Sequence, residues 1–137
     1  MPRPHVVIIG SGFGGLFSAR ALAKADVDIT LLSKTTAHLF QPLLYQVATG
    51  ILSSGEIAPA TRDILSRQKN AKVLLGEVSK INLDSRIVVG AKLSKQIILR
   101  YDYLIVAAGA GQSYFGNDRF ATFAPGMKSI DDGLELR

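Results

Sequence analysis

Apolar positions along this chain alternate between short unbroken runs and helical spacing, and that alternation predicts its elements. His5-Val6-Val7-Ile8-Ile9 is an unbroken, largely β-branched run stopped by Gly10, which reads as a strand buried on both faces. Leu16, Ala19, Arg20, Leu22 and Ala23 fall at helical spacing and predict a helix of about three turns ending near Lys24-Ala25-Asp26. A second strand follows from Val27 to Leu32, with Ile29, Leu31 and Leu32 as its apolar members. Strand, tight turn, helix and strand in this order make the minimal βαβ unit with its right-handed crossover.

The pattern then lapses. Ser33 to Gly55 reads as irregular, yet Gln41-Pro42-Leu43-Leu44-Tyr45-Gln46-Val47-Ala48-Thr49-Gly50 is too apolar for an idle solvent loop, and a long structureless stretch in a compact domain points to function. Helical spacing resumes from Glu56 to Asn70, with Ile57, Ala60, Ile64 and Leu65 on one face, Pro59 in the first turn and Asn70 as C-cap. Lys72 to Leu75 predicts a third strand. Runs at Glu77–Leu83, Arg86–Val89 and Gln96–Arg100, separated by Asp84-Ser85 and by the segment from Gly90 to Lys95, predict an antiparallel meander beside the parallel sheet. Leu104 to Ala107 is one more buried strand, halted by Gly109 and Gly111.

Composition narrows the class. With 137 residues, the chain has room for one nucleotide-sized domain and not two, and 47% apolar against 20% charged residues supports a packed core. The formal charge of +5 is spread over the chain; no dense basic block with stacking aromatics is present, so no nucleic-acid partner is expected. The longest apolar run is far short of the roughly 20 residues that span a bilayer. The start lacks the apolar region of a secretory signal, so a cytoplasmic location is the expectation. Cysteine is absent, which removes thiolate metal sites and cysteine redox relays; no metal is expected.

The strongest chemical signal is Gly10-Ser11-Gly12-Phe13-Gly14-Gly15, which places G-x-G-x-x-G directly after a buried strand and at the opening of a helix. Gly10 allows the tight turn, Gly12 lets the backbone approach a pyrophosphate, and Gly15 permits close helix packing. The pyrophosphate then meets N–H donors at the positive end of the helix dipole. At the end of the second strand, the carboxylate that normally accepts hydrogen bonds from ribose is replaced by Ser33, followed by Lys34. A neutral bond there costs about one order of magnitude in affinity relative to a charged one. Lys34 leaves two readings open: a solvated loop lysine, or a partner for a 2′-phosphate, with NADP as ligand.

A second cluster bears on the ligand. Leu99-Arg100-Tyr101-Asp102-Tyr103-Leu104-Ile105-Val106-Ala107-Ala108-Gly109-Ala110 resembles the signature of flavin-containing pyridine-nucleotide oxidoreductases, where the meander returns to the parallel sheet. His38-Leu39-Phe40-Gln41-Pro42-Leu43-Leu44-Tyr45-Gln46-Val47-Ala48-Thr49-Gly50 and Glu56-Ile57-Ala58-Pro59 resemble the corresponding stretch of bacterial type II NADH dehydrogenases, the non-proton-pumping NADH:quinone oxidoreductases. The likeness continues through Gly76-Glu77-Val78, Ser113-Tyr114-Phe115-Gly116, Phe123-Ala124-Pro125-Gly126 and Ile130-Asp131-Asp132.

That resemblance implies an α/β, Rossmann-like FAD-binding domain with a parallel sheet and an inserted antiparallel meander. It implies that Gly10, Ser11, Gly12, Phe13, Gly14 and Gly15 hold the FAD pyrophosphate, and that Ser33 and Lys34 lie near the adenosine ribose. Val78 would meet adenine through its backbone, Ala108 and Gly109 would line the cofactor, and Thr49 and Gly50 would approach the isoalloxazine ring. NADH is then the substrate, a membrane quinone the acceptor, a homodimer the assembly to test for, and peripheral attachment to the inner face of the cell membrane the location. No titratable proton relay stands out as catalytic. His38, Gln41 and Tyr45 each read also as loop-packing residues.

The same resemblance makes residues 1–137 an N-terminal part of a longer oxidoreductase, since a second glycine turn for NADH and a membrane-docking C-terminal region are not found in it. The alternative is a non-catalytic nucleotide-binding module or inactive remnant, with NADP as a rival ligand.

Overall fold

In the computed structural model, residues 2–137 are described. The chain runs β1 (His5–Ile9), α1 (Phe13–Ala21), β2 (Asp28–Ser33), α2 (Leu44–Ala48), α3 (Ser54–Ile57), α4 (Thr61–Ile64), β3 (Ala71–Leu75), β4 (Glu77–Asn82), β5 (Ile87–Lys92), β6 (Lys95–Arg100), β7 (Tyr103–Val106) and α5 (Ile130–Glu135). It divides into two compact units, the first made of the chain up to His38 with Ala60–Ala108, the second of Leu39–Pro59 with Gly109–Arg137.

The first unit carries a four-stranded parallel sheet in the order β3-β2-β1-β7 and a separate antiparallel meander β4-β5-β6. β1 is central, with Val6–Ile9 in register with Tyr103–Val106 on one side and His5–Ile9 with Asp28–Leu32 on the other. Its continuous apolar run is explained by burial on both faces. Val6 and Ile8 pack with Leu16 and Ala19 of α1, Ile29, Leu31 and Leu65. Val7 and Ile9 pack on the opposite face with Leu32, Val88 and Tyr101, where the meander contributes Ile81, Ile97 and Leu99. The parallel sheet with an inserted meander is the fold expected from the pattern.

Local expectations fail in five places. β7 is not the buried strand its apolar run predicts: it closes one edge of the sheet, and Tyr103 and Val106 are exposed. α1 stops at Ala21, a turn earlier than its spacing predicts, and polar side chains from the segment just before β3 take over its end: Gln68 Nε2 donates to the Ala19 carbonyl at 2.8 Å and Asn70 Nδ2 to those of Leu22 and Ala25 at 3.1 and 3.3 Å. Asn70 therefore closes α1, not the helix before it. The helix expected over Glu56 to Asn70 is instead the two short helices α3 and α4, parted at Ala58-Pro59-Ala60. Pro59 disfavours helical geometry at Ala58, whose ψ is 63°. The segment read as irregular after Ser33 holds α2 and a 3-10 turn at Gln41–Leu43. Finally, β5 continues through Gly90 to Lys92, so the meander's second turn is tighter than the segment from Gly90 to Lys95 suggested.

The second unit is small and helical, with Leu44, Val47 and Ile57 as its buried cluster and Leu39, Leu43 and Leu52 around it. Its short helices are closed by capping boxes: Ser53 with Glu56 on α3, and Ser129 with Asp132 on α5. The Glu56 carboxylate accepts from the Ser53 N–H at 2.7 Å, which holds its pKa below the ordinary value; Asp132 is lowered in the same way by the N–H groups of Lys128 and Ser129, each at 2.8 Å.

Candidate functional site

The carboxyl ends of β1, β2 and β7 meet at one edge of the parallel sheet. Gly10 N–H donates to the Leu32 carbonyl and Ala107 N–H to that of Ile9, both at 2.8 Å, so the residue leaving β1 is tied to the end of β2 and the residue leaving β7 to the end of β1. In the order β3-β2-β1-β7 the chain leaves β1 toward neighbours on opposite sides, and the crevice at such a switch point is where open parallel sheets bind ligands.

The turn out of β1 is dictated by contact with backbone. Gly10 has φ +101°, and a Cβ there would lie 2.2 Å from the Ala107 carbonyl oxygen. A Cβ on Gly15 would lie 1.8 Å from the Gly10 oxygen, so α1 can approach β1 this closely only with glycine at that position. Gly12 is the opposite case: a Cβ there meets nothing within 4 Å. Gly12 is also the N-cap of α1, makes no side-chain cap bond, and is followed by a first turn without an acidic residue. Gly12, Phe13 and Gly14 are exposed, whereas Ser11 and Gly15 are buried. An exposed helix N-terminus with backbone that nothing crowds and no carboxylate beside it fits an anionic pyrophosphate.

Ser11 has a different role from its neighbours. Its hydroxyl bonds that of Ser33 at 2.8 Å, linking the glycine turn to the end of β2, and Ser33 Oγ also accepts from the Thr35 N–H at 3.3 Å. Ser33 is thus buried and engaged within the protein, and Lys34 next to it is exposed. The Ser11 carbonyl accepts from His38 Nδ1 at 2.8 Å, and the His38 ring stands edge-on to Phe13 with centroids 5.2 Å apart. His38 is only 6% exposed. The sequence alone marks His38 only as a loop-packing residue, a polar aromatic beside Leu39 and Phe40 in the loop leaving the second strand.

Ala108 and Gly109 are exposed just past β7, Ala108 in the first unit and Gly109 in the second. Val78 is half-buried on β4, next to an irregularity in register between Val78 and Lys80. Thr49 and Gly50 belong to the second unit and close α2, where Thr49 Oγ1 donates to the Tyr45 carbonyl and Gly50 N–H to that of Val47, each at 3.0 Å. The first unit therefore gathers Gly10 to Gly15, Ser33, Lys34 and Ala108 around one sheet edge.

A parallel sheet with a meander and a glycine turn opening a helix at its switch point defines a dinucleotide-binding α/β protein. The family model for pyridine nucleotide-disulphide oxidoreductases matches residues 4–135. The chain belongs to that family. It is 70% identical over 135 residues to the type II NADH:quinone oxidoreductase NdhA of Mycobacterium tuberculosis, covering 98% of this chain and 29% of that protein. It is 67% identical over 137 residues to Ndh of the same organism, covering 30% of it. The NDH2 structure from Plasmodium falciparum in complex with NADH superposes with a TM-score of 0.86 at 29% identity, over 98% of this chain and 28% of that one. The chain thus spans under a third of the length of these relatives. Among the described residues, no helix is long and apolar enough to cross a membrane.

Proposed function

We propose that this chain is the N-terminal, FAD-seating segment of a type II NADH dehydrogenase, an enzyme that carries electrons from NADH to a membrane quinone. The observation that carries the reading is the glycine turn: Gly12 at an uncapped, uncrowded helix N-terminus, held between Gly10 and Gly15 by contacts that admit no side chain. The identity of 70% to a type II NADH:quinone oxidoreductase supports the parent activity.

In this reading the N–H groups of the turn from Gly10 to Gly15 bind the FAD pyrophosphate. Ser33 and Lys34 lie along the adenosine ribose, with Ser33 held inward by Ser11 and the exposed Lys34 giving a cation to that end. Val78 meets adenine through its backbone, Ala108 and Gly109 present small residues to the cofactor, and Thr49 and Gly50 face the isoalloxazine. Bound FAD supplies the two-electron redox chemistry that connects NADH to quinone, and the protein's part is to position it. The remainder of the longer enzyme supplies the NADH site and the docking surface for the inner face of the cell membrane, where the enzyme works as a homodimer facing the cytoplasm.

The test is a titration of the purified chain with FAD and with NADP, followed by flavin absorbance. Binding of FAD in preference to NADP is the expected result. Retention of NADP without flavin, abolished by Lys34→Ala, would overturn the FAD assignment and favour a nucleotide-binding module. NADH:quinone turnover is expected only from the longer enzyme.

A further inference from the structure

We propose that His38 is a positioning residue for the pyrophosphate turn, which holds the Ser11 carbonyl inward so that the Gly12 N–H faces the ligand. The inference rests on the FAD reading and extends it to a residue outside the glycine motif.

A backbone carbonyl can only accept, so the bond of 2.8 Å between His38 Nδ1 and the Ser11 oxygen requires the proton to sit on Nδ1. In the neutral ring that is the Nδ1–H tautomer, which leaves Nε2 as the acceptor nitrogen. No peptide bond in the described chain is cis. Across the trans peptide between Ser11 and Gly12, the C=O and the N–H therefore point in opposite directions. Drawing the carbonyl toward the buried imidazole turns the Gly12 N–H to the other side of the loop.

The clamp is needed because of the motif's own chemistry. Gly12 has no Cβ, so it lacks the side-chain clashes that in other residues restrict φ and with it the plane of the preceding peptide. A rotated peptide would present a carbonyl oxygen, in place of a donor, to an anion. The Ser11 hydroxyl is tied to Ser33, but that bond fixes a side chain and leaves the peptide plane free to turn. His38 acts on the plane itself. Its ring is in turn oriented edge-on against Phe13, the first residue of α1, so the clamp and the helix N-terminus are registered to each other.

Two measurements on the whole chain test this. In the first, two-bond nitrogen–proton correlation spectra of the uniformly 15N-labelled protein, with His38 signals assigned by their loss in His38→Asn, report the tautomer. Nδ1–H is expected, and Nε2–H would overturn the proposal. In the second, FAD is titrated into wild type, His38→Asn and His38→Leu. The Asn amide can donate from near the Nδ1 position, so it is expected to stay within about threefold of wild type, while Leu weakens FAD roughly tenfold, as loss of one backbone-orienting bond implies. Equal affinities for all three proteins, or equal weakening in both variants, would overturn the positioning role while leaving the FAD reading intact. A wild-type chain that shows the Nδ1–H tautomer and takes up no FAD would overturn the proposed function and this inference with it.

Discussion

Gly12 and Gly15 occupy the same motif for different physical reasons, and alanine at each separates them. At Gly15 a Cβ would lie 1.8 Å from the Gly10 oxygen and 2.8 Å from its carbonyl carbon, both backbone atoms. Close to 3 Å is the least that real contacts of this kind allow, so α1 and β1 must part by more than an ångström, across a face packed by Ile8, Leu16 and Ala19. Overpacking of a tight core costs about 1–3 kcal/mol, and here the obstacle is backbone, so Gly15→Ala should reach the upper end of that range. At Gly12, φ is −69° and nothing lies within 4 Å, so alanine is sterically admissible and should leave stability within about 0.5 kcal/mol. The same methyl stands where a pyrophosphate approaches, and should weaken FAD at least about tenfold, equivalent to about 1.4 kcal/mol. Urea denaturation followed by far-ultraviolet circular dichroism gives the first quantity and flavin fluorescence quenching the second. Gly12→Ala with unchanged FAD affinity, or Gly15→Ala with unchanged stability, would refute the division of roles.

Other consequences concern stability alone. Thr61 is fully buried, and its hydroxyl has no hydrogen-bond partner among the described residues; Thr61→Val should therefore raise the thermal midpoint, by an amount matching about 1 kcal/mol, and a lowered midpoint would show that the hydroxyl is satisfied in solution. The capping carboxylates of Glu56 and Asp132 have folded pKa values below their ordinary 4.5 and 3.8, so the unfolded state binds protons first and the stability they contribute is complete above those values. It is lost as pH falls through the lower folded values, and helical signals of α3 and α5 should fade only below the ordinary carboxylate values in an acid titration monitored by NMR. In Asp132→Asn the α5 part of that pH dependence should disappear; its persistence would assign the transition to other groups.

Much of the first unit was legible in the sequence because its signals are local. The run from His5 to Ile9 has to be a strand buried on two faces, and the glycines that follow have to make a turn into a helix; neither depends on knowing what packs above them. Glu56 to Asn70 does not form one helix although apolar spacing at Ile57, Ala60, Ile64 and Leu65 satisfies a helical period, because Pro59 interrupts it and the two halves bury into different units: Ile57 beside Leu44 and Val47, Leu65 beside Ile8 and Leu31. Asn70 looks like a cap for its own segment because an amide near a helix end looks the same in sequence whichever carbonyls it meets. Its partners at Leu22 and Ala25 lie more than forty positions away in sequence.

The parallel sheet, the meander, the glycine turn and the family likeness therefore follow from periodicity and from residues adjacent along the chain. Tertiary structure alone decided what Ser11, Ser33 and His38 do. A hydroxyl at position 33 could equally have faced a ribose or the protein, and a loop histidine could have pointed anywhere. Folding the end of β2 and the loop after it against the β1 turn brings the Ser11 hydroxyl to Ser33 and its carbonyl to His38, each at 2.8 Å. Hydrogen bonds of that length are fixed by the meeting of distant segments, which no local pattern encodes.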